Sequence, residues 1–120
     1  SARCAALNGA ELIVVPFAAP KQKCWREIMM TRAFENGVYF APCNKVGLEG
    51  DWYFEGCSMI VSPTSEVLVE AGNEGDETIT ASLERELVFE TRRTLPMFRD
   101  RRPDLYTPIC TTTEDIAQVI

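Results

Sequence analysis

Histidine is missing from the chain altogether. No imidazole can therefore act as a general base, a proton shuttle or a metal ligand among these residues. The 5 cysteines, at 4, 24, 43, 57 and 110, form an odd set without any C-x-x-C pair. That spacing argues against a structural zinc site, and no cofactor is expected. No apolar run approaches the roughly 20 residues that would span a bilayer, so no membrane partner is expected either. Positive charge is in deficit, with 12 Lys and Arg against 18 Asp and Glu and a formal charge of -6. This sign opposes phosphate neutralisation and excludes general nucleic-acid binding. The stretch from Ser1 to Leu7 lacks both an initiator methionine and the basic-then-apolar pattern of a signal peptide. Processing or truncation is the expectation, with something upstream missing.

What is present fits a soluble α/β domain. At 120 residues, 46% hydrophobic and 25% charged, the chain makes one domain at most, able to bury roughly two-thirds of its unfolded surface. The cysteines sit inside apolar segments, as expected of reduced, small core residues in a cytoplasmic protein.

Ala2 to Asn8 reads as the last turns of a helix, stopped by Asn8-Gly9. Glu11 to Val15 is a continuous apolar, β-branched run closed by Pro16, the pattern of a strand covered on both faces. From Lys21 to Asn36 the residues Cys24, Trp25, Ile28, Met29 and Ala33 recur at helical spacing, and Gly37 marks the helix end. Val38 to Ala41 reads as a strand up to Pro42, Leu48 to Gly56 as a polar and aromatic loop, and Cys57 to Ser62 as a strand ended by Pro63. Val67 to Ala71 is its returning partner, Glu77 to Ser82 a further alternating strand, and Leu83 to Leu95 a helix in which Glu90 meets Arg93. Such an order predicts a mixed sheet with helices on one face. The other face is then apolar and needs a partner layer.

Four spaced segments resemble one family. Arg3-Cys4-Ala5-Ala6-Leu7-Asn8-Gly9-Ala10-Glu11 with Pro16 is similar to the R-x-x-A-x-x-G-A-E-x-x-x-x-P segment of nitrilase-superfamily carbon-nitrogen hydrolases. Arg32-Ala33-Phe34-Glu35-Asn36 resembles their R-A-x-E-N helix end, and Asn44-Lys45-Val46-Gly47 their N-(R/K)-x-G strand end. Phe54-Glu55-Gly56-Cys57-Ser58-Met59-Ile60 with Pro63-Thr64 resembles the F-x-G-x-S-x-I-x-x-P-x-G turn, and Arg99 to Tyr106 narrows the match toward the N-carbamoyl amidohydrolase branch.

The resemblance implies the C-terminal half of a four-layer αββα sandwich over residues 1–106, with 107–120 as a tail. It implies that the missing N-terminal half covers the bare sheet face and that the assembly is a homodimer or higher oligomer. It also implies cleavage of a small linear amide or N-carbamoyl amine by a Cys-Glu-Lys set, none of which has a matching position here. The chain alone is then expected to be inactive. A non-catalytic interaction or scaffold subunit of the same fold is the alternative.

Within the family frame, Phe17, Ala18 and Ala19 occupy the loop that lines the substrate pocket. Ala18 stands where some D-amino-acid carbamoylases carry asparagine. Glu35 and Asn36 combine a buried supporting carboxylate with a helix cap, and Asn44 and Ser58 are expected to hold the strand ends together. Trp25, Met29 and Met30 are assigned to the dimer surface. Cys43 with Lys45, alternate residues on a strand, imitates an activated thiol but aligns with a non-catalytic position, as does Cys57. Ser65 replaces the family's usual glycine, which points to a changed turn type or strain. The arginines from 99 to 102, interleaved with Asp100 and Asp104, are read as an ion-pair network fastening the tail.

Overall fold

Alternating burial along Leu12–Phe17 shows how the chain uses its apolar run. Ile13, Val15 and Phe17 turn inward under helices, while Leu12 (44% exposed), Val14 (61%) and Pro16 face out. The computed structural model describes residues 2–20 and 23–111. Among them the elements are α1 (Ala2–Leu7), β1 (Leu12–Phe17), α2 (Trp25–Asn36), β2 (Tyr39–Asn44), β3 (Val46–Glu49), β4 (Trp52–Glu55), β5 (Met59–Val61), β6 (Val67–Glu70), α3 (Arg85–Thr94) and α4 (Thr107–Cys110), with a short 3-10 turn at Pro103–Leu105.

The main sheet has the order β1-β2-β5-β6, parallel between β1 and β2 and antiparallel thereafter. Ala6, Met29, Ala33, Val38, Phe40, Met59 and Val61 form the core between its inner face and helices α1 and α2. The shortest dimension of the molecule, 20 Å, is the depth of one sheet and one helix layer. Pairing of Leu12 with Tyr39 and Val14 with Ala41 puts Leu12, Val14, Ala41, Cys43, Ile60 and Val69 on the opposite face. Its edge is closed at Tyr39, where the hydroxyl accepts from Glu84 N (2.9 Å) and donates to Glu84 O (3.1 Å).

α2 stops as the sequence predicts. Gly37 adopts φ +52°, its N–H reaches Phe34 O (3.1 Å), and Val38 N reaches Ala33 O (3.2 Å). These two bonds satisfy the last helical carbonyls while Val38 and Ala33 pack together in the core. The site is also crowded, because a Cβ on Gly37 would lie 3.0 Å from Arg92 Cγ. Arg92 joins α3 to this corner through bonds to Gly37 O (3.0 Å) and Ala10 O (2.6 Å). Burial lowers its pKa from the usual guanidinium value, with the charge of Glu11 opposing.

Several expectations need correction. α2 begins at Trp25 because Cys24 takes a left-handed conformation (φ 68°); Lys21, its predicted start, lies outside the described residues. Leu48 to Gly56, read as a loop, falls largely within the β3–β4 hairpin of residues 46–55, whose Leu48 (74% exposed) and Trp52 (64%) hid the alternation of a buried strand. Glu77 to Ser82 has no ladder partner among the described residues and is not a strand. Arg93 meets Glu86 (3.3 Å) rather than Glu90. The cysteines are not core residues: Cys4, Cys24, Cys43 and Cys110 are exposed and Cys57 is half-buried, and none forms a disulfide. Arg99 binds the adjacent Asp100 and Arg102 the nearby Asp104, so these pairs do not fasten the tail to the body. Instead Phe98 docks, its ring 5.4 Å from the Arg3 guanidinium and 5.2 Å from that of Arg92. Tail residues 112–120 lie outside the described residues.

Candidate functional site

The C-terminal ends of the parallel strands β1 and β2 are where an α/β sheet gathers ligands. Here the chain concentrates its side-chain hydrogen bonding. Asn44, the last residue of β2, accepts from Ala19 N (2.9 Å) and donates through Nδ2 to Ala19 O (3.0 Å) and Gly56 O (3.1 Å). The Asn44 N–H in turn donates to Ser58 Oγ (2.9 Å), whose hydroxyl reaches back to Asn44 O (3.3 Å). Lys45 N bonds Phe17 O (3.1 Å), and Gly56 N bonds Lys45 O (3.0 Å). Three segments are thus locked at one sheet end: the loop after β1, the end of β2 and the approach to β5. Gly56 fits because its φ is +66° and a Cβ would meet Gly72 O at 3.0 Å.

Clefts open beside this knot and, away from it, on the helix side of β1. One, of about 340 Å³, is lined by Cys43, Lys45, Gly56, Ser58, Asp76 and Glu77 among others. A larger apolar one, of about 590 Å³, opens between α1, α2 and β1, with Arg3, Ile13, Phe17, Ile28 and Phe40 in its walls. Of the predicted pocket residues only Phe17 lines a cleft, the apolar one. Phe17 turns inward, its ring edge-on to Trp25 with centroids 5.1 Å apart. Ala18 is exposed, and Ala19 is held by Asn44.

Of the three residues assigned to the dimer surface, Met29 is too deeply buried to belong to one, while Trp25 and Met30 are half-buried. Trp25 donates to Cys57 O (3.2 Å), and the Met30 carbonyl accepts from Ser65 Oγ (3.2 Å). Ile28 (41% exposed) and Phe34 (40%) are the apolar residues α2 turns outward. Of Glu35 and Asn36 it is the amide that is buried, and the helix is capped by Gly37 rather than by Asn36. Glu35 is partly exposed and pairs with Arg32 (2.6 Å), whereas Asn36 is buried and donates to Arg32 O (2.8 Å). A carboxylate one position before the helix stop projects sideways to solvent, and the shorter amide turns under the helix.

The Lys45 ammonium engages Glu49 and lies 5.2 Å from the Phe54 ring centre, so it serves the β3–β4 hairpin rather than Cys43. Sequence reasoning anticipated Asn44 and Ser58 at the strand ends but missed Ala19 as the partner. The signal was present in the small residue placed just before Pro20.

Comparison with known proteins decides the family, because the carbon-nitrogen hydrolase profile matches residues 1–93. The chain belongs to the carbon-nitrogen hydrolases. It is 36% identical over 101 residues to 2-oxoglutaramate amidase of Bacillus subtilis, covering 82% of this chain and 39% of that protein. To N-carbamoylputrescine amidase of Arabidopsis thaliana it is 30% identical over 128 residues, covering 92% and 43%. Among solved structures, the carbon-nitrogen hydrolase of Helicobacter pylori superposes with a TM-score of 0.79 at 28% identity, over 92% of this chain and 44% of that one. Saccharomyces cerevisiae Nit3, a nitrilase-superfamily member, gives 0.74 at 30% identity, over 84% and 38%. The chain therefore spans about two-fifths of the length of these relatives and carries only part of the nitrilase-like sandwich. No helix among the described residues is long and apolar enough to cross a membrane.

Proposed function

We propose that this segment is the C-terminal half of an amidase that hydrolyses a small linear amide or an N-carbamoyl amine. The observation that carries the reading is the family match over residues 1–93, joined to relatives named as 2-oxoglutaramate and N-carbamoylputrescine amidases. In the proposed chemistry a glutamate outside these residues takes the proton of a cysteine thiol, and the thiolate adds to the amide or carbamoyl carbon. A lysine stabilises the resulting oxyanion. Collapse breaks the carbon-nitrogen bond, the leaving nitrogen takes the proton as ammonia or amine, and water then cleaves the thioester. This segment contributes the sheet end at Asn44 and Ser58 and the loop at 17–19.

The catalytic half is the proposed partner for the face of Leu12, Val14 and Ile60, and the complete enzyme is proposed to be a homodimer or higher oligomer. A cytoplasmic setting agrees with five thiols that form no disulfide. The test is ammonia release from linear amides and from N-carbamoyl amines. The 120-residue chain is expected to release none, and the polypeptide that joins it to its catalytic portion to release it from at least one substrate class. Turnover by the segment alone would refute the division of labour. Silence of a folded, joined polypeptide toward both classes would favour a scaffold role.

A further inference from the structure

We propose that a single buried water molecule binds between the end of α2 and the middle of α3, bridging Asn36 Oδ1 and Thr91 Oγ1. Water is here a ligand of the fold itself, whatever reaction the complete protein catalyses.

Asn36 is 1% exposed and Thr91 6%, and among the described residues neither Asn36 Oδ1 nor Thr91 Oγ1 has a hydrogen-bond partner. Buried oxygens left in that condition lose their hydration and gain nothing in exchange, so native folds satisfy nearly all of them. Both residues line one small cavity, of about 10 Å³, with Gly37, Leu95, Met97 and Phe98 also in its walls. That volume is about one water probe, and a buried water is held by about two to four polar groups. Oδ1 can only accept, whereas the threonine hydroxyl can donate or accept, so one water gives a proton to the amide and exchanges a second bond with the hydroxyl.

Turning the amide over would not remove the need. Asn36 Nδ2 donates to Arg32 O (2.8 Å) and reaches Glu35 Oε1 (3.5 Å), so the reversed amide would set oxygen against oxygen. On α3 the backbone carbonyl of Thr91 is taken by Leu95 N (2.8 Å). The Thr91 methyl lies 3.8 Å from where a Cβ on Gly37 would stand, so the glycine that ends α2 also keeps side-chain bulk away from this contact. Arg92 already fastens the corner directly, through Gly37 O and Ala10 O. The water adds a second fastening one residue earlier on α3, made to a side chain of α2 rather than to its backbone.

The experiment uses the polypeptide that joins this segment to its catalytic portion, as the wild type, Thr91→Val and Thr91→Ser. Valine matches threonine in shape but lacks the hydroxyl, and serine keeps it. A crystal structure of the wild type, at a resolution that orders buried solvent, should show one water within hydrogen-bonding distance of both oxygens. The serine variant should retain that water and the valine variant should lose the bridge. In urea unfolding, Thr91→Val should lower the ratio of folded to unfolded protein by about tenfold, because Asn36 Oδ1 is then left without a bridged partner. A hydroxyl that only fills space predicts the opposite sign, since a methyl is the easier group to bury. The proposal is overturned if the wild-type cavity is dry, if Thr91 Oγ1 bonds Asn36 Oδ1 directly, or if the valine variant is at least as stable as the wild type. Should the valine variant fail to fold, the wild-type and serine structures decide, and a serine variant without the water overturns the proposal as well.

Discussion

Ser65 carries a side chain in a backbone conformation that favours glycine, with φ at +72°. The turn type expected of the family's glycine is therefore kept, and the serine is strained. Its hydroxyl offsets part of that cost by donating to Met30 O (3.2 Å), linking the β5–β6 turn to α2. Ser65→Ala and Ser65→Gly both lose this bond, but only alanine keeps the left-handed penalty. Alanine should therefore be the less stable by about 1 kcal/mol in urea unfolding; equal midpoints would show that no strain is present. At this scale the sequence was informative wherever a residue type has one physical use, as with Gly37 in its helix stop or Asn44 at a strand end. Glu35 and Asn36 show the limit. Both are polar, and which of them turns under the helix depends on the packing angle of α2, to which their order in the chain gives no clue.

The elements divide in the same way. β1, β2, β5, β6 and the two longer helices follow from apolar periodicity and from breakers at Gly37 and Pro63, but β1 and β2 run on through Pro16 and Pro42, where the sequence predicted them to end. The β3–β4 hairpin was illegible because its exposed aromatics do not alternate with polar residues, and residues 77–82 misled because alternation without a neighbouring strand makes no ladder. α3 is joined to the start of β1 by Arg85, which grips both Glu11 oxygens (2.7 and 2.8 Å). These bonds hold the Glu11 carboxyl below its ordinary range, with desolvation opposing and the charges of Arg85 and Arg92 adding. A carboxyl lowered on folding contributes stability above its unfolded pKa, and that contribution is lost as pH falls through the folded value. Glu11→Gln should therefore be less stable than wild type near neutrality and converge with it in acid. Unfolding curves measured across that range check the prediction, and a gap that persists in acid would point to packing rather than charge.

For the molecule as a whole, the sequence predicted helices on one side of the sheet only, and among the described residues no helix packs over Leu12 and Val14 on the other. Val14 stands on that face at 61% exposure. Val14→Asp should change the stability of the segment by no more than about 1 kcal/mol while preventing its docking onto the catalytic portion. Urea titration of the segment and co-purification of the two portions measure the two effects separately. If the substituted segment still co-purifies, another surface holds the halves together.

The sheet also ends on an unusual border. β1 is the outermost strand among the described residues, and its sequence, Leu-Ile-Val-Val-Pro-Phe, contains no lysine or other charge to repel an incoming chain. Pro16 interrupts its row of peptide groups only near the far end. Such a border is a growth front to which another copy can add strand by strand. For the segment kept by itself, crowding with its own kind is therefore as serious a threat as heat.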